Sequence, residues 1–182
     1  MTLTDMFALS YQWVGKLREP SQRFCRDSLM QTFKKEIEAI LAQLMGSPWA
    51  PHPKVQDVIA EYQHFLGAAK TPSQTRRVSL QIFHASRAID SFLAHVADHE
   101  AAKPGRVAAP VYWTLGSSLH YIRTNSIGGS RFTPPADTDL GLLKDDRNEY
   151  LHQANNFPSD GIIRRFLART TNGIKEATTF PT

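Results

Sequence analysis

The sequence predicts a single, nearly all-helical domain, and three observations carry that expectation. Apolar residues recur at intervals of three and four almost throughout the chain, the spacing of one buried helix face. Alternating apolar and polar runs bounded by hairpin turns, the mark of half-buried strands, are absent from the sequence. Prolines and glycines at 46–53, 103–105 and 128–135 punctuate the periodic stretches.

Each element follows from those patterns. A short amphipathic segment around Phe7, Tyr11, Val14 and Leu17 stops before Pro20. The first long helix carries Phe24, Leu29, Phe33, Ile37, Ile40, Leu41 and Leu44 on one stripe, with Lys34, Lys35, Glu36 and Glu38 opposite. Gly46, Pro48, Pro51 and Pro53 end it, so the N-terminal helices occupy residues 1–46 and the remaining bundle 53–182. The next helix bears Val55, Val58, Ile59, Tyr62, Phe65 and Leu66, with Gly67 near its end. Thr71-Pro72 reads as an N-cap followed by proline at the first helical position, opening a long helix that carries Val78, Ile82, Phe83, Ile89, Phe92, Leu93 and Val96 and stops at Lys103-Pro104-Gly105. A helix from about Pro110 to Arg123 has Trp113, Leu119 and Ile122 as anchors. The loop at 128–135 either covers a site or joins helices; beyond it Asp137 or Thr138 caps a helix over about 138–156. Phe157-Pro158-Ser159-Asp160 breaks that helix, and a last one carries Ile162, Ile163, Phe166, Leu167 and Ile174.

A length of 182 residues with 41% hydrophobic content suits one buried core. The net charge of +4 and pI near 9.3 permit a polyanionic partner without demanding one. A lone cysteine, Cys25, offers neither a disulfide framework nor a cysteine-rich metal site, and a reducing, cytoplasmic compartment fits best. Neither an export signal nor a run near the roughly 20 apolar residues of a membrane span is visible, so no membrane role is expected.

The chemistry is concentrated in Leu143-Lys144-Asp145-Asp146-Arg147-Asn148-Glu149-Tyr150-Leu151-His152-Gln153-Ala154. On a helix, Leu143, Arg147, Tyr150, Leu151 and Ala154 share about one third of the circumference, so Arg147 is set into the core-facing arc. Asp145, Asn148, Glu149 and His152 fall on the other side, and Arg147 and His152 lie about 140° apart. An arginine among apolar residues needs an acidic partner or an anionic ligand, and Asp145, Asp146 and Glu149 are the nearby candidates. An imidazole that moves a proton near neutral pH, beside a guanidinium that holds a phosphate, suits phosphodiester cleavage without a metal.

The string Arg147-Asn148-Glu149-Tyr150-Leu151-His152 resembles the signature of the HEPN ribonucleases, an arginine, a polar residue after it, and a histidine separated from the arginine by four positions. Its place late in a helical chain, with one helix following, is similar too, and the resemblance extends from about Leu140 to Leu167. It implies a HEPN-like antiparallel helical bundle with additional N-terminal helices. It also implies a homodimer whose two motifs line a shared basic cleft, and a metal-independent RNA endonuclease leaving 2′,3′-cyclic phosphate ends. Such proteins act as toxins or phage-defence effectors, partnered by an antitoxin or regulatory protein. Arg147, Asn148 and His152 are then the catalytic set, with Asp146, Glu149 and Tyr150 expected to meet substrate. Neither a cofactor nor a metal is expected. One departure stands out: the tyrosine that nucleotidyltransferase antitoxins modify, two residues after the histidine, is Ala154 here.

Blander readings stand beside these. The alternative function is a non-catalytic HEPN-like module that binds RNA, a nucleotide or a partner protein. Arg147 and His152 also fit an ordinary surface helix with intrahelical ion pairs. His95 and His99 are four apart but lack an evident third ligand, and read as solvated histidines near a helix end. Arg76-Arg77 and Arg164-Arg165-Arg169 read as secondary nucleic-acid candidates or a plain basic face. Trp13, Trp49, Tyr112 and Trp113 read as core or interface anchors rather than base-stacking platforms.

Overall fold

The computed structural model describes the backbone of residues 20–152 and 156–182 and the side chains of residues 28–151 and 156–182. The expected segment around Phe7, Tyr11, Val14 and Leu17, and the surroundings of Phe24 and Cys25, lie outside the described residues. Among the described residues the chain is all-α. The helices are α1 (Pro20–Met45), α2 (Lys54–Ala68), α3 (Gln74–Ala101), α4 (Leu115–Asn125), α5 (Pro134–His152) and α6 (Asp160–Ala177). The only strand-like pairing among them is an isolated bridge between Ile127 and Ser130.

Contacts divide the chain into two compact units, residues 1–32 and 33–182. In the first, the Thr32 hydroxyl donates to the Ser28 carbonyl at 3.1 Å, the back-bonding that lets threonine sit in a helix. In the second, Phe33, Ile37, Ile40 and Leu44 of α1 are buried at the predicted spacing, and the Phe33 ring meets Phe65 of α2 edge-on at 5.5 Å. The turn at 46–53 folds Trp49 fully inside, where its indole N–H donates to the Phe180 carbonyl at 3.0 Å.

Helix α3 organises the second unit. At 28 residues it is about 42 Å long, and it packs against α2, α4, α5 and α6. Its apolar face runs through Val78, Ile82, Ile89, Phe92, Leu93 and Val96, all buried. Helix α6 approaches closely at Gly173, where a Cβ would stand 2.6 Å from Cδ2 of Leu140 on α5 and 3.1 Å from Cδ1 of Ile89 on α3. Only hydrogen fits there without displacing buried side chains.

Several boundaries differ from expectation, each for a local reason. The cap of α3 is Ser73, not Thr71: its hydroxyl accepts from the Arg76 N–H at 3.4 Å, and Pro72 precedes the cap. Helix α4 starts at Leu115 rather than Pro110, because Thr114 and Ser117 form a reciprocal capping box, and Trp113 lies outside the helix. Helix α5 starts at Pro134 instead of about 138. Paired prolines preset its first turn, Thr133 is clamped by the Glu176 carboxylate, and Asp137 pairs with Arg123 rather than capping.

Candidate functional site

The motif from Arg147 to His152 lies on α5, as the spacing predicts. Leu140 and Leu143 are buried, Tyr150 and Leu151 half-buried, and Asp145, Asn148 and Glu149 exposed, so the predicted division of the helix faces holds for these residues. The backbone of His152 lies on α5; its side chain and all of Gln153 to Asn155 lie outside the described residues.

Arg147 finds its acidic partner across the fold rather than in its own helix. Its Nη2 stands 3.4 Å from Oδ2 of Asp90 on α3, and the two side chains are 26% and 25% exposed. The pair is slack: Nε of Arg147 and Oδ1 of Asp90 are both buried, and neither has a hydrogen-bond partner. Burial pushes the Asp90 carboxyl above its ordinary range, while the charges of Arg147 and Arg87 act against that rise. A half-buried guanidinium with spare donors is a group ready to exchange a carboxylate for another oxyanion.

The nearby acids are otherwise engaged. Asp146 accepts from Arg169 Nη1 at 2.5 Å, and Glu149 accepts from Asn156 Nδ2 at 2.9 Å. Tyr150 has its hydroxyl pKa raised by burial first, then by the negative charges of Glu149 and Asp146. Asp145 is exposed and has no ion-pair partner among the described residues.

A cleft of about 330 Å³ opens along α3 beside this pair, lined by Lys54, Asp90, Ser91, His95, Asp98 and Trp113. The Trp113 indole N–H donates to Asp98 Oδ1 at 3.0 Å, tying the loop before α4 to the helix. Sequence reasoning missed Asp90 altogether, since a carboxylate 57 residues from its arginine has no local signature.

It also missed a third imidazole. His95 and His99 are half-buried rather than solvated, and His52, in the turn before α2, meets them at ring distances of 4.7 and 5.4 Å, tilted on His95 and edge-on to His99. Trp49 packs edge-on against His95 and His99. The pair spaced by four was the available signal; the contribution of His52 follows from the burial of Trp49 three residues earlier. Burial lowers the pKa of His95, and His52 and His99 lower it further; burial, Lys103 and His52 lower that of His99. Among the described residues, no group of three His, Cys, Asp or Glu side chains is placed to hold a metal ion.

The basic candidates separate. Arg77 is 8% exposed in its side chain and paired with Asp160 at 2.8 Å, and Arg169 is committed to Asp146, so neither is a free surface cation. Arg164 and Arg165 are exposed on α6. Trp49 is a core residue, as read from the sequence, whereas Tyr112 is 81% exposed and anchors nothing in the core. No helix among the described residues is long and apolar enough to cross a membrane. Comparison with protein-family models, with curated proteins and with solved structures yields no match to this chain.

Proposed function

We propose that this chain is a HEPN-type endoribonuclease that works as a homodimer in the cytoplasm, cutting RNA at a composite site built from Arg147 and His152 of both copies. The observation that carries the reading is the state of Arg147: a half-buried guanidinium in the motif, held by one stretched ion pair to Asp90, which lines the cleft. Arg77 and Arg169 hold shorter ion pairs, at 2.8 and 2.5 Å, and neither leaves a buried donor without a partner, as Arg147 does.

In this reading the scissile phosphate takes the place of Asp90 on the guanidinium, a charge-assisted contact with bidentate geometry. The ribose 2′-oxygen attacks phosphorus as its proton passes to a general base, and the bond to the 5′-oxygen breaks as that oxygen gains a proton. His152 supplies one of these transfers, Asn148 orients RNA from the exposed face of α5, and the product is a 2′,3′-cyclic phosphate. Asp146, Glu149 and Tyr150 flank the strand. A toxin or phage-defence role, with an antitoxin or regulatory partner, follows from the same resemblance.

The test is direct. Purified protein is incubated with end-labelled RNA in EDTA, alongside Arg147→Ala and His152→Ala. Cleavage that persists in EDTA and disappears in both variants supports the nuclease. Intact RNA that is nevertheless bound, with binding lost in Arg147→Ala, supports the non-catalytic binding module instead.

A further inference from the structure

The cleft on α3 extends from the Arg147 tether, and its chemistry is unlike that of a phosphate site. From Asp90 to Asp98 it covers eight helix positions, about 12 Å along the axis. Its volume of about 330 Å³ sits at the small end of ligand pockets. Two carboxylates, Asp90 and Asp98, line it, and both accept N–H donors. Trp113 lines the same cleft with its only polar atom already spent on Asp98 Oδ1, so what remains to it is a π surface. Lys54 also lines the cleft, held by an exposed pair with Asp57 at 3.1 Å, a contact weak enough to exchange.

Among the nucleobases, one pattern matches that set. Guanine presents adjacent N1–H and N2–H₂ donors to a carboxylate, with O6 and N7 as acceptors for a cation on another edge. Uracil offers one N3–H donor, flanked by two carbonyl oxygens that a carboxylate would repel. Adenine and cytosine offer a single amino group. We infer that this cleft is a guanine subsite, in which Asp98 reads the N1–H and N2–H₂ edge, Trp113 stacks on the ring and Lys54 reaches O6, beside the phosphate held by Arg147. The inference rests on the reading of this chain as an RNA-directed protein and adds to it a base preference next to the scissile phosphate.

Calorimetric titration of the full chain with GMP, AMP, CMP and UMP tests it, with circular dichroism as the check on folding. Wild-type protein is expected to bind GMP at least about tenfold more tightly than UMP. Asp98→Asn is expected to erase that difference, Trp113→Ala to weaken every nucleotide by roughly tenfold, and Arg147→Ala to weaken all four alike while keeping their order. Should either cleft variant lose helicity, Asp98→Glu or Trp113→Phe replaces it, with a reduced but detectable change expected. Equal binding of the four nucleotides, no binding of any, or a guanine preference that survives Asp98→Asn overturns the subsite. The two proposals fail separately. RNA cut through Arg147 and His152 with no guanine preference removes the subsite alone, and selective GMP binding by a protein that never cuts RNA removes the nuclease alone.

Discussion

At the residue scale, two groups of side chains set measurable thermodynamic signatures. Arg147 and Asp90 are each about one quarter exposed, so solvent screens their attraction, and the slack geometry weakens it further. Their coupling is therefore modest. Arg147→Met is expected to cost about 1 kcal/mol in urea denaturation, because it strands a partly desolvated carboxylate. Asp90→Asn in the same chain should recover most of that loss, and the double-mutant cycle reads the coupling; additivity of the two substitutions would show that they do not interact. The imidazoles act differently. His95 and His99 have folded pKa values below the ordinary 6.5, so folding favours their neutral forms. Their contribution to stability is present above pH 6.5 and is lost as pH falls from 6.5 through the depressed folded values. Asp98 and Glu100 oppose the shift and Lys54 and Lys103 reinforce it. Thermal unfolding measured between pH 7.5 and 5 should show Tm falling across this window, and the fall should shrink in His95→Gln. An identical profile in that variant would remove His95 as the cause.

At the element scale, the helices were legible in the sequence while their first turns were not. The stripes Phe33-Ile37-Ile40-Leu44 and Ile163-Phe166-Leu167-Ile174 are buried as the spacing requires, because a 3.6-residue period leaves one face to pack. Starts are more degenerate. Thr71, Ser73 and Thr114 are all competent caps, and only the backbone geometry decides: Ser73 is extended at φ −72° and ψ 121°, with its hydroxyl on the Arg76 N–H. Ser73→Ala should accordingly cost about 1 kcal/mol, and Thr71→Ala only a few tenths. The reverse ranking in chemical denaturation would restore the earlier start. The candidate site was legible to the same extent. The motif lies on one helix, as its spacing implies, but the partners Asp90, His52 and the Asp98–Trp113 pair are brought near by packing between distant segments, which periodicity cannot encode.

At the scale of the whole molecule, α3 is both the centre of the core of residues 33–182 and the floor of the candidate site. Asp90, Ser91, His95 and Asp98 face the cleft, while Ile89, Phe92, Leu93 and Val96 of the same turns are fully buried. A rigid, fully packed helix is a better platform for such side chains than a loop, because the rotamers it presents are fixed by what lies beneath. It also means that stability and site geometry are tied through the same residues. Phe92 is fully buried, its ring meeting Trp49 edge-on at 6.2 Å, and Trp49 in turn packs on His95 and His99. Phe92→Ala should therefore cost about 3–5 kcal/mol, the loss expected for an aromatic removed from a core that cannot collapse around the gap. Val111→Ser, at a position 88% exposed, should stay within about 0.5 kcal/mol. Because the gap opens under the histidine cluster, Phe92→Ala should also raise the pKa of His95 toward its solvent value as water enters, visible as a shifted imidazole titration by NMR at a temperature where the variant is still folded. A variant that loses the full stability with an unmoved His95 titration would show that the core and the cleft are mechanically independent, and that the shared helix is coincidence.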